Sequence, residues 1–166
     1  MPVIIPVSGS NTQHVGVFSL RNLQVLMRQK LTEEEYFVTE PGYEHKVGGD
    51  GAELVLDLVG DKKVNAYVRF KITIKIVILE MNDVEVTRED KKIKLQHGRM
   101  KLMISGEVEL DHAKKFEGNA FMKGLRDFYH KFIINRVIDN VYWDAVHTTI
   151  FKLQRAIRDE LNFEAR

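Results

Sequence analysis

The middle third of the chain alternates with a period of two. Between Leu54 and Leu110 the apolar residues fall on even positions, as Leu54, Leu56 and Leu58, then Phe70, Ile72, Ile74, Ile76 and Ile78, then Met100, Leu102, Ile104, Val108 and Leu110. Odd positions carry Glu53, Asp57, Arg69, Lys71, Thr73, Lys75, Arg99, Lys101, Glu107 and Glu109. Successive side chains of a strand point to opposite faces, so this pattern predicts antiparallel strands with one buried and one wet face. The turns Gly60-Asp61-Lys62-Lys63 and Arg88-Glu89-Asp90-Lys91 are short and polar. Together with a weaker break at Met81-Asn82-Asp83 and a separating Gly98, they make a meander of about four to six strands over residues 36–111.

The flanking segments read differently. Residues 1–16 hold two of the three prolines and the polar run Ser8-Gly9-Ser10-Asn11-Thr12-Gln13, which predicts an arm followed by a loop, with Val3-Ile4-Ile5-Pro6-Val7 as arm or edge strand. Ser19 suits an N-cap, and Leu20, Leu23, Met27 and Leu31 recur at helical spacing, predicting an N-terminal helix over residues 17–35. Residues 114–164 change to helical periodicity, with no Gly or Pro after Gly124. One helix over residues 120–161 would be about 63 Å long, whereas a domain of this chain length is roughly 40 Å across. The helix must overhang, kink or turn back as a pair, and the apolar stripe is thinnest around Asn135, Arg136, Asp139 and Asn140. The expectation is a single α+β domain over residues 1–166: an N-terminal helix, the antiparallel sheet, and a long C-terminal helix or helix pair packed on one sheet face.

Composition narrows the function classes. The chain has 166 residues, 44% hydrophobic and 30% charged, enough for one domain with its own core. Lys plus Arg number 25 against 24 for Asp plus Glu, so any electrostatic function must come from local segregation. The absence of cysteine excludes disulfides, thiolate catalysis and Cys-ligated metal sites. The apolar start lacks a basic flank and is too short to span a bilayer, which points to a cytoplasmic protein without a membrane partner.

No catalytic constellation emerges. Asp127 with His130, and Asp144 with His147, repeat an Asp-x-x-His spacing that puts a carboxylate and an imidazole on one helix face. Metal sites of that kind need further carboxylates from other helices, and solvated polar faces account for both pairs. Gly48-Gly49-Asp50-Gly51 precedes a strand rather than a helix, so it reads as a hairpin loop and not as a phosphate cradle. Asp111-His112 with Glu117 nearby offers acid and base groups, but a capping Asp beside an exposed His explains the same residues more simply. Ser105 lies mid-strand without a nucleophile elbow. No catalytic residue, metal or cofactor is assigned.

Two features remain. Arg69, Lys71, Lys75, Arg99 and Lys101 share the wet parity, and Lys94 adds charge nearby, so they are candidate binding residues for RNA or an acidic protein surface. Cross-strand pairing with Glu53, Asp57, Glu85, Glu107 and Glu109 would explain the same cations. The second feature is the aromatic content of the C-terminal helices, where Phe132, Tyr142, Trp143 and Phe151 are candidate interface residues. It exceeds what one stripe can hide against one sheet, so the helices pack on each other, or a second subunit or an apolar ligand covers the excess.

The segments Tyr67-Val68-Arg69-Phe70-Lys71-Ile72, Asp83-Val84-Glu85-Val86, Lys91-Lys92-Ile93-Lys94-Leu95-Gln96-His97-Gly98-Arg99 and Phe128-Tyr129-His130-Lys131-Phe132-Ile133-Ile134-Asn135-Arg136 together resemble a family of small, uncharacterised archaeal α+β proteins. The resemblance covers roughly residues 64–140 and implies no activity. More loosely, the order of elements is similar to helix-grip lipid-binding domains, with fewer strands. The expected function is a non-enzymatic binding or accessory module, working as a homo-oligomer or on another protein or a larger assembly, including an RNA-containing one such as the ribosome. The alternative is a carrier holding an apolar small molecule between sheet and C-terminal helix, with Met81, Met100, Met103 and Met122 as an adaptable lining.

Overall fold

Leu54, Leu56 and Leu58, Ile72, Ile74, Ile76 and Ile78, and Leu102, Val108 and Leu110 are fully buried on one face of a five-stranded antiparallel sheet. The computed structural model describes residues 3–114, 118–129, 131 and 138–164. The strands are β1 (Val3–Phe18), β2 (Phe37–Gly48), β3 (Gly51–Lys63), β4 (Val68–Arg88) and β5 (Lys91–Leu110). Helix α1 (Leu20–Glu33) connects β1 to β2, and α2 (Ala120–Tyr129) and α3 (Trp143–Glu164) follow the sheet. Strands β2 to β5 form the expected meander, and β1 closes on the far side of β5, giving the order β1-β5-β4-β3-β2.

Both helix stripes end on the same sheet face. Leu23, Met27 and Leu31 of α1, and Val146, Ile150, Leu153, Ile157 and Leu161 of α3, repeat every three or four residues and join one core with the even-numbered strand residues. Gly106 lets α3 rest directly on β5, because a Cβ there would stand 2.7 Å from Val146 Cγ1 and 2.8 Å from Ile150 Cδ1. Ser19 caps α1 as its sequence predicts, its Oγ accepting from Asn22 N–H at 3.3 Å. The Leu20 N–H is taken by the Gln96 side chain at 3.0 Å, which ties the start of α1 to β5.

The structure departs from expectation at the N-terminus. Residues 3–18 form a strand, not an arm and loop, so the sheet starts before α1, and α1 runs over residues 20–33 instead of 17–35. Strand β1 pairs along β5 with an irregularity between Val7 and Ser10. Gly9 lies there so close to the Ile104 carbonyl that no Cβ would fit. Beyond the bulge the core-facing partners of Ile104 and Leu102 are Ser10 and Thr12, polar residues that erase the alternation.

Two further breaks in the pattern are bulges and not ends of strands. Val84-Glu85-Val86 continues β4 and Ile93-Lys94-Leu95 begins β5, past a shift between Leu79 and Asn82. At this shift Glu80 adopts φ 55° and a Cβ on Gly98 would stand 2.9 Å from Leu79 O. Gly48 and Gly51 close the β2–β3 hairpin, as expected for that loop. The predicted C-terminal bend falls partly outside the described residues, with Asp139 and Asn140 inside a π-helical turn, Ile138–Tyr142, that leads into α3.

Candidate functional site

The helix-free face of the sheet carries most of the cations that parity singled out. Arg69 is bound on both sides: its Nε and one Nη donate to Asp61 Oδ1 at 3.0 and 2.7 Å, and the other Nη lies 3.5 Å from Glu109 Oε2. Lys71 is 3.7 Å from Glu107, and Arg99 is 2.7 Å from Glu80. Lys94 stands apart on the projecting end of the β4–β5 hairpin, 3.5 Å from Asp83. Only Lys75 and Lys101 among these six have no carboxylate within ion-pair distance among the described residues. The face is therefore largely charge-compensated. Its cross-strand partners include Glu107 and Glu109 from the expected set, while Asp61, Glu80 and Asp83 replace the others.

The C-terminal aromatics divide into two groups. Tyr142 and Trp143 are half-buried against the core, Tyr142 edge-on to Phe70 at 5.9 Å and Trp143 stacked on His147 at 4.7 Å. Phe151 is 59% exposed on α3, and Phe132 lies outside the described residues. The more exposed group is on α2 and lies outside the four candidate interface residues. Phe121, Leu125 and Phe128, spaced i, i+4 and i+7, share one helical face and are 75%, 44% and 55% exposed. Lys123, Arg126 and Asp127 belong to the same helix, and α2 does not pack extensively on another described element.

A groove of about 980 Å³ opens between the start of α1 and the projecting hairpin. The register pairs Val84 with Leu95 and Val86 with Ile93, so these four apolar side chains share one face of the hairpin. Ile93 and Leu95 line the groove, Leu95 only 2% exposed. Arg21 from α1, with Arg88, Lys91 and Lys94 from the hairpin, supplies four cations to the lining, against the one carboxylate of Glu89. Lys94 was legible as a candidate from its charge. The groove itself was not, because it exists only once the hairpin extends beyond the sheet.

The remaining candidates for chemistry are accounted for locally. The His112 ring is 2.9 Å from the Asn65 carbonyl, Asp111 is buried at φ 57°, and Glu117 lies outside the described residues. His147 stacks on Trp143, and His130, the partner expected for Asp127, lies outside the described residues. No group of three potential metal ligands occurs among the described residues. Met100 faces the core opposite Ile78, whereas Met103 sits opposite Lys75 on the other face, so the two do not share a lining. The Tyr36 phenol, buried beneath α3, is pushed up to about 12 by desolvation and by the charge of Glu34, with a hydrogen bond to Thr149 working the other way.

No protein-family model matches the chain, and no curated protein is significantly similar to it. The resemblance over residues 64–140 thus brings no chemistry to these positions, and function has to be argued from geometry. No helix among the described residues is long and apolar enough to cross a membrane.

Proposed function

We propose that the protein is a non-enzymatic binding module that acts by associating with another protein surface, in the first place that of a second copy of itself, through the apolar face of α2. The observation that carries this reading is the exposure of Phe121 and Leu125, at 75% and 44%, on a helix outside a core that α1 and α3 already complete. An exposed Phe and Leu one turn apart are suited to anchor a helix-mediated contact. Strand addition has less support, because both sheet edges are blunted: β1 carries Pro6 and a bulge, and β2 carries Pro41 within its own register shift.

An RNA-containing partner such as the ribosome has weaker support, since among the described residues four of the six cations are ion-paired and Lys75 stands opposite Asp57 across the β3–β4 pair. A carrier cavity between sheet and C-terminal helix has weaker support too, because α3 sits on Gly106 without a gap. Sedimentation velocity at tens of micromolar tests the proposal. A dimer or larger species is expected for the native chain, and Phe121→Ser with Leu125→Ser should give a monomer with an unchanged melting temperature. A native chain that sediments as a monomer overturns self-association.

A further inference from the structure

The groove between α1 and the β4–β5 hairpin has a composition that the interaction face on α2 does not explain. Its apolar side is the hairpin face that carries Ile93 and Leu95, and its charged lining is four cations to one carboxylate in a chain whose overall charge is only +1. Most of the backbone amides at the start of α1 are already engaged. The Leu20, Asn22 and Leu23 N–H groups at the start of α1 are already taken by Gln96 Oε1, Ser19 Oγ and Ser19 O. What the groove offers an anion is side-chain charge, from Arg21 on one wall and from Lys91, which shares the hairpin face of Ile93 and Leu95, on the other. Lys94, between Ile93 and Leu95 in the strand, points to the other face of the hairpin, where it lies 3.5 Å from Asp83.

An apolar wall combined with a cationic lining is complementary to one kind of molecule. We propose that this groove binds a small anionic amphiphile, a carboxylate or phosphate joined to an apolar body, with the body against Ile93 and Leu95 and the anion between Arg21 and Lys91. The volume of about 980 Å³ falls at the upper end of the range that small-molecule sites occupy. A purely apolar ligand would bring no counter-charge to Arg21 and Lys91, and a simple inorganic anion would leave the apolar wall uncovered. The shared chemistry fits a free organic anion or the headgroup end of an anionic lipid.

The test titrates the full chain with decanoate, decanol and decyltrimethylammonium below their micellar concentrations, reading backbone amide shifts and heats of binding. Decanoate should saturably shift the Asn22, Ile93 and Gln96 amides, and decyltrimethylammonium should not. Arg21→Glu with Lys91→Glu, both at exposed positions, should weaken decanoate binding about tenfold or more. Should that double reversal fail to fold, Arg21→Gln with Lys91→Gln should give roughly a threefold loss. Flotation with phosphatidylserine vesicles separates the sources: binding that the same reversal abolishes assigns a lipid headgroup, and decanoate binding without flotation assigns a free anion. Decanoate shifts that avoid the groove, equal shifts with the cationic amphiphile, or an affinity indifferent to the charge reversals would each overturn the proposal.

Discussion

Gly106 and Val146 fix how closely the C-terminal helix lies on the sheet, since a Cβ on the glycine would stand 2.7 Å from Cγ1 of the valine. Ile150 Cδ1, at 2.8 Å, is the free end of a flexible side chain and can turn aside, but the branched valine is stiff at χ1. Gly106→Ala should therefore lower stability by about 1–3 kcal/mol, because overpacking outweighs the few tenths gained from a stiffer unfolded chain. Urea unfolding checks this, and Gly106→Ala combined with Val146→Ala should recover part of the loss.

Tyr36 should make the fold sensitive to alkali. Its folded-state pKa of about 12 lies above the ordinary value of 10.0, so the folded chain holds the phenolic proton that the unfolded chain releases. The stability this contributes is fully present below pH 10 and is lost as the pH rises toward 12, by about 2–3 kcal/mol. Tyr36→Phe should flatten stability over that interval, at the cost of the Thr149 hydrogen bond at neutral pH. Denaturant midpoints at pH 8 to 11 would show the difference in slope.

Arg69 should matter more to stability than an ordinary surface cation. It bridges Asp61 and Glu109, and all three side chains are at least two-thirds buried. Arg69→Met leaves two carboxylates facing each other across the strand without their counter-charge, which should cost about 1–2 kcal/mol. Raising the salt concentration should narrow the gap between the two proteins in thermal unfolding.

What could be read from the chain follows the strength of its periodicity. Strands β3, β4 and β5 bury one face completely, so Ile72, Ile74, Ile76 and Ile78 repeat with period two and their register is unmistakable. The stripe of α1, Leu23, Met27 and Leu31, is equally plain. Strand β1 was hidden because Ser10 and Thr12 occupy positions that face the core while Ile4 and Val15 are exposed, which inverts the usual signal along an edge. The single long hairpin was read as separate pieces because the bulge beside Gly98 flips the parity of β4, putting Val84 and Val86 on even positions of a different face.

The candidate sites were less legible, because they depend on which charges and rings meet in space. Parity placed Arg69, Lys71, Lys75, Arg99 and Lys101 together correctly, yet could not tell that Asp61, from the turn after β3's apolar run, and Glu80, at the bulge, would compensate two of them. The aromatic excess was visible, whereas its division between a half-buried pair at Tyr142 and Trp143 and an exposed face at Phe121 and Leu125 rests on tertiary packing.

Charge changes on the open sheet face should separate pairing from phosphate binding. Lys75 and Lys101, which form no ion pair among the described residues, should tolerate conversion to Gln with a change of less than about 0.5 kcal/mol. Lys71→Glu should do worse, since it places a carboxylate opposite Glu107 in the β4–β5 register and loses the existing pair, for a cost near 1 kcal/mol. That corresponds to a drop of about 2–4 °C in melting temperature for a chain of this size. If this face binds RNA through the two remaining lysines, log affinity should fall with log salt at a slope of roughly −1.4, two phosphates' worth on a single strand. The expected result is lower still, with filter binding at low salt showing no retention of RNA by either the native chain or the Gln variants. Retention that disappears in Lys75→Gln with Lys101→Gln while the melting temperature holds would reverse the order of the two readings, placing nucleic acid ahead of a protein partner.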